Sequence, residues 1–166
     1  MGYTHYWRPQ TPNFNPENFA RLVDGARKII EAANVPLADV NIDETGIRFN
    51  GVGADAHEDF WLLRDNERDF QFCKTAAKPY DIVCVAILCL AYQLLGDEIE
   101  ISSDGGAADW EDGLRLLWSV FGEGDFPFDE AGIRERFVES YAETDVQAYR
   151  RIRADLGLPA GEETAA

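Results

Sequence analysis

The chain has three lysines, and two of them, Lys74 and Lys78, lie four residues apart in the stretch FCKTAAKPYD, with Thr75 between them and Asp81 just beyond. Two ammonium groups and a hydroxyl beside a helix start are the makings of an anion site, because the first amides of a helix are unbonded and carry partial positive charge. In a chain of formal net charge −16 the pair also forms a local positive focus for a phosphorylated or carboxylated ligand. The competing reading is that both lysines are solvated or paired with Asp69 and Asp81, each pair worth roughly a few tenths of a kcal/mol.

The second chemically suggestive stretch is YTHYW, in which Tyr3, His5, Tyr6 and Trp7 supply flat faces and hydrogen-bonding tips suited to a ring-shaped ligand. The same residues also suit the packed edge of a core. His5 and His57 are the two histidines, so acid–base or metal chemistry that uses histidine must use one of them. Cys73 would act as a nucleophile only as a low-pKa thiolate, which Lys74 and the helix start would favour; its place in a strand points instead to burial. Asp104 in SSDGG offers a carboxylate at a strand end, where Asp before Gly-Gly is also a turn former. No His-x-x-x-His, Cys-x-x-Cys or calcium-loop spacing occurs, and GVGADAHED lacks the ending of a phosphate loop. No metal and no cofactor is therefore expected.

Acidic residues outnumber basic ones 31 to 15, with a pI near 4.3, which speaks against direct nucleic-acid binding and against an anionic membrane. That acidity fits simple solubility, a high-salt habitat, a genome that prefers Arg to Lys, or a mimic of the DNA phosphate array. Three cysteines, an odd number, point to reduced thiols, and MGYTHYWRPQ lacks the basic-then-apolar order of a secretory signal, so a cytoplasmic location is expected. Residues 82–95 are the most apolar segment but fall short of the roughly twenty residues needed to span a bilayer.

These residues need elements to position them. Residues 3–7 alternate as a strand does; Asn15 and Pro16 then open a helix over 16–33 whose apolar positions recur at three and four. A turn at 43–46 precedes a strand at 47–50. Strands over 58–64 and 70–74 are joined by DNERD, which reads as a hairpin loop. Pro79 at a first helical position opens an apolar core helix over 79–95, followed by a strand in EIEIS. Asp109 can cap a helix on Trp110, Leu114, Leu117, Trp118 and Phe121, and two polar helices follow over 130–143 and 145–156. The predicted architecture is α+β: a single domain over 1–156, with a mostly antiparallel sheet of about five strands packed against helices, and a disordered acidic tail over 157–166.

MGYTHYW, IRFNG, FCKTAAKPYD and ISSDG with a following DW, taken together, resemble a family of small uncharacterised bacteriophage and bacterial proteins. The resemblance covers residues 1–110 in four ordered islands. It implies a phage or prophage setting and points to His5, Trp7, Asn50, Lys74, Thr75, Lys78, Tyr80, Asp81, Ser103 and Asp104 as ligand-binding positions, but implies no reaction. The expected function is non-catalytic binding of a small anionic or nucleotide-like ligand. Lys74, Lys78 and the helix N-terminus would hold its charge, and a first-strand aromatic would stack on its ring. One alternative is an acidic module that engages a basic protein partner, as a DNA mimic does; the other is a hydrolase or transferase using His5 with Asp104 or Cys73.

Overall fold

The computed structural model describes residues 3–66, 70–106, 108–124 and 139–158. Helix α1 (Pro16–Ala33) begins where expected: Asn15 Oδ1 accepts from the amides of Glu17 and Asn18 at 3.0 and 3.1 Å, and Pro16 has no amide hydrogen to satisfy. It ends at Asn34, which adopts the left-handed conformation at φ 53°. The apolar helix α2 (Asp81–Leu95) has almost every side chain from Val83 to Ala91 buried, and α1 and α3 (Glu111–Phe121) pack against it. Both approaches depend on glycine. A Cβ on Gly25 would lie 2.4 Å from Leu90 Cδ2, and one on Gly113 would lie 2.3 Å from Val85 Cγ1.

Among the described residues six strands form two antiparallel sheets, where the sequence pattern predicts about five strands in one. The first is ordered β5 (Gln71–Lys74), β1 (Thr4–Pro9), β6 (Ile99–Ser103); the second is β2 (Ala38–Asp43), β3 (Gly46–Asn50), β4 (Phe60–Leu63). β2 is a strand absent from the sequence expectation, although ADVNID alternates Ala38, Val40 and Ile42 with polar residues; it lies largely at the surface, and the Asp43–Thr45 turn folds it onto β3, with Thr45 N and Oγ1 donating to Asp43 Oδ1 at 2.8 and 2.5 Å. β4 and β5 are not a hairpin. A polar loop signals a reversal but not which edge the next strand takes, and β5 takes the edge of β1, leaving Glu58 N to Lys74 O, at 3.2 Å, to tie the two sheets.

Helix boundaries also shift. Pro79 and Tyr80 form a turn ahead of α2, with Asp81 N donating to Lys78 O at 2.8 Å. Asp109 accepts from Gly106 N at 3.0 Å instead of capping α3, which starts after Trp110. Helix α4 (Glu139–Asp155) runs unbroken through residues 143–145, where two helices are expected to meet, since Thr144 and Asp145 lower helix propensity without breaking the backbone pattern. Residues 130–138 of the first expected helix, and the tail beyond 158, lie outside the described residues. Among the described residues no helix is long and apolar enough to cross a membrane.

Candidate functional site

β1 is the middle strand of its sheet, so its side chains meet both neighbours and whatever covers the inner face. His5 points inward and is fully buried. Its Nε2 lies 2.6 Å from Asp81 Oδ1 and its Nδ1 lies 2.8 Å from Ser103 Oγ; Thr75 Oγ1 donates to the same Asp81 oxygen at 2.6 Å. Ser103 Oγ also accepts from Gly105 N at 3.0 Å and from Trp110 Nε1 at 3.2 Å. With both lone pairs occupied, the Ser103 hydroxyl has only its proton left to offer, and it donates to Nδ1; Nε2–H then donates to Asp81. The order Ser–His–Asp resembles a hydrolytic relay, but an attacking oxygen needs a free lone pair, and Ser103 has none. The network is a brace joining β1, β6, α2 and the Thr75 loop.

The other couples proposed for catalysis do not form. Asp104 accepts from Thr4 N at 3.1 Å and from the Tyr6 hydroxyl at 3.0 Å, which raises the Tyr6 phenol above its ordinary value, and it does not bond to His5. Cys73 stands opposite His5 in the register, yet it is buried and donates to Glu58 O at 3.4 Å. Burial pushes the thiols of Cys84 and Cys89 up, away from thiolate chemistry.

The lysine loop also differs from the expected amide cradle. Thr75 N and Ala76 N donate to Tyr3 O at 3.1 and 3.2 Å, Ala77 N to Thr75 Oγ1 at 3.3 Å, and Lys78 N to Thr75 O at 3.1 Å. The amides that would hold an anion are used within the loop, and the Asp81 carboxylate sits at the helix start. Ala76 and Ala77 are both left-handed, at φ 52° and 55°, a conformation that costs an alanine about 1 kcal/mol or more. Lys74 and Lys78 are half-buried, and among the described residues neither forms an ion pair; Lys28, by contrast, pairs with Asp24 at 3.4 Å. Asp81 is the partner of His5 and not of Lys78. Asp69 lies outside the described residues.

On the outward face of the same sheet, Tyr6 of β1 lies opposite Phe72 of β5, and alternation carries Arg8 and Lys74 onto that face. Tyr6 stacks on Phe70 at 5.7 Å between centroids, Phe70 meets Phe72 at 6.1 Å, and the Arg8 guanidinium lies 5.8 Å from the Phe70 ring. Phe70 and Phe72 are 44% and 54% exposed. Across from them on β4, Trp61 is 49% exposed, with Arg48 over one face of its ring at 5.2 Å. Asp59 holds Arg48 at 2.8 Å. Burial pushes the Asp59 carboxyl up, but its bonds to Arg48 and Asn50 outweigh this and keep it below the ordinary value. Between the β4 and β5 edges lies a cleft of about 540 Å³, bordered by Trp61 and Leu63 on one strand and by Phe70 and Phe72 at the other.

The ten positions singled out from sequence therefore divide. His5, Thr75, Asp81 and Ser103 meet in the brace, with Asp104 at its outer end and Lys74 and Lys78 flanking it along the chain. Trp7 is a core residue against Phe60, with Nε1 donating to Gln71 Oε1 at 2.9 Å. Tyr80 is buried, its hydroxyl donating to Glu58 O at 2.6 Å, and burial pushes its phenol upward. Asn50 belongs to the second sheet and shapes the 51–57 loop: Nδ2 donates to His57 O, and Oδ1 accepts from the amides of Gly51 and His57. Sequence reasoning missed Trp61, Phe70, Phe72, Arg8 and Arg48. The Phe-x-Phe spacing of FQFCK was a signal for the outward pair, whereas FWLL gives no alternation from which to read the exposure of Trp61. No protein-family model matches the chain, and neither the curated proteins nor the solved structures contain a significant match to it.

Proposed function

We propose that the protein binds a small ring-bearing anion without turnover, on the outward face of the β5-β1-β6 sheet, with Tyr6 and Phe72 taking the ring and Lys74 the charge. The observation that carries this reading is the succession Phe72, Cys73 inward, then Lys74: an exposed aromatic and an ammonium group free of ion pairs among the described residues lie on one face about 6.6 Å apart. In a chain of net charge −16, such a site gives an anion a specific place to bind. The reading differs from the sequence expectation in one part. The helix N-terminus is left out, because the neighbouring amides are used internally. The resemblance to phage proteins supplies a setting, sequestration of a ligand in phage–host conflict.

Native mass spectrometry after incubation with a small-molecule extract of host cells tests the reading. A retained adduct that is lost in the Lys74→Ala/Lys78→Ala variant supports it and gives the ligand by mass; an adduct unaffected by the double substitution, or an unchanged mass, counts against it. A second reading, an acidic module for a basic protein partner, is favoured by the 31-to-15 charge imbalance. It predicts strong salt dependence and indifference to Lys74→Ala.

A further inference from the structure

We infer that the cleft between the two sheet edges is a slot for a nucleobase, and that the strand backbones, with aromatic walls, read its rim; this rests on the reading of the site as one for a ring-bearing anion. Three observations converge. Aromatic rings line both sides, Trp61 from β4 and Phe70 and Phe72 beside β5, and all three are among the few large apolar side chains left exposed. The polar side chains of the lining are already committed: Asp59 to Arg48 and Asn50, Gln71 to Trp7 and Asn66, Asp65 to Arg64. What stays free is backbone. β4 and β5 are edge strands that face each other, tied at one end by Glu58 N to Lys74 O, and among the described residues no other backbone bond crosses between them.

An edge strand presents N–H and C=O groups in fixed alternation. A planar ring that fits such an edge carries donors and acceptors in its own plane and offers two π faces to the walls, which is the chemistry of a nucleobase and not of a sugar or an aliphatic acid. The cleft volume of about 540 Å³ lies within the range of small-ligand sites. Lys74, two residues beyond Phe72, is the nearest cation along the strand for a phosphate. The ligand class is thus a nucleoside phosphate, bound as a free molecule; the net charge opposes a polynucleotide.

Tryptophan fluorescence isolates the slot, because Trp7, Trp110 and Trp118 are at most 5% exposed while Trp61 is 49% exposed. The four common ribonucleoside 5′-monophosphates, their nucleosides, ribose 5-phosphate and an extended Val-Lys octapeptide are titrated separately. The expected result is saturable quenching by at least one nucleotide and its nucleoside. Trp61→Phe should abolish the quenching, and Phe72→Ala should weaken binding about 5- to 150-fold, the range for one base–aromatic stack. Lys74→Ala should weaken the nucleotide and leave the nucleoside unchanged. Both aromatics are exposed, so an unchanged melting temperature confirms that the variants fold. Ribose 5-phosphate competing as well as a nucleotide would overturn the slot while leaving the anion reading intact. Nucleotide binding indifferent to Lys74→Ala would keep the slot and remove the anion reading. Quenching by the octapeptide alone would assign the edges to strand addition and overturn the inference, as would no quenching by any ligand.

Discussion

At the residue scale, His5 answers why a buried histidine is held by partners distant in the chain. Asp81 and Ser103 are 76 and 98 residues away, and each supplies a hydrogen bond that lets an imidazole sit inside an apolar core. Ser103 is the node, because three groups depend on its oxygen: His5 Nδ1, Gly105 N and Trp110 Nε1. Ser103→Ala should therefore cost more than one hydrogen bond, about 2–4 kcal/mol as several buried polar groups lose their partner, read as a drop in the urea midpoint. A loss below about 1 kcal/mol would mean that the brace is dispensable. Asp59 offers a pH test. Its carboxyl is held below the ordinary value, so its contribution is complete above the ordinary aspartate pKa of about 3.9 and is lost below it, as the pH falls through the lower pKa of the folded state. Arg48→Met, which removes the charge partner while keeping much of the stem, should flatten this part of the profile between neutral pH and pH 3, as measured by urea denaturation. Residue types were legible from sequence, since His5, Thr75, Asp81 and Ser103 all drew notice; their pairing was not, because it depends on strand register.

At the element scale, the loop between β5 and α2 is the strained part of the structure, with two consecutive alanines in the left-handed region. Thr75 holds this geometry by bonding Tyr3 O through its amide, Ala77 N through its hydroxyl oxygen, and Asp81 through its hydroxyl proton. Ala77 is exposed, so a substitution there reports on backbone conformation and not on packing. Ala77→Val should destabilise by about 1–2 kcal/mol, because a β-branched side chain fits the left-handed region worst. Ala77→Gly should be neutral or stabilising by up to about 1 kcal/mol, with strain relief set against the larger unfolded-state entropy of glycine. The same ranking at thermal melting would confirm the loop geometry, and equal effects would refute it. Nothing in TAAK announces left-handed residues, since alanine is a helix former. The Pro16 and α2 helices could be read from cap and apolar run alone. The split into two sheets could not, because β4 and β5 read as a hairpin until β1 competes for the β5 edge.

At the scale of the whole molecule, charge decides between the two kinds of partner through the sign of a salt effect. A chain at −16 repels an approaching nucleotide at long range even though Lys74 and Arg8 attract it at the surface. The Debye length is about 10 Å at 0.1 M salt, so added salt screens the distant carboxylates more than a contact pair. The association rate of a nucleoside phosphate should therefore rise between about 0.02 and 0.15 M salt, while its dissociation rate also rises modestly as the lysine contact weakens. A basic protein partner would behave in the opposite sense: steered by the same carboxylates, it would associate more slowly as salt is added. Stopped-flow quenching of Trp61 across that salt range reads the sign directly for the nucleotide, and the uncharged nucleoside serves as the reference whose rate should stay flat. A nucleotide association rate that falls steeply with salt would mean that the local field at the cleft is already positive at long range. The acidity of the rest of the molecule would then have no bearing on how the site is reached.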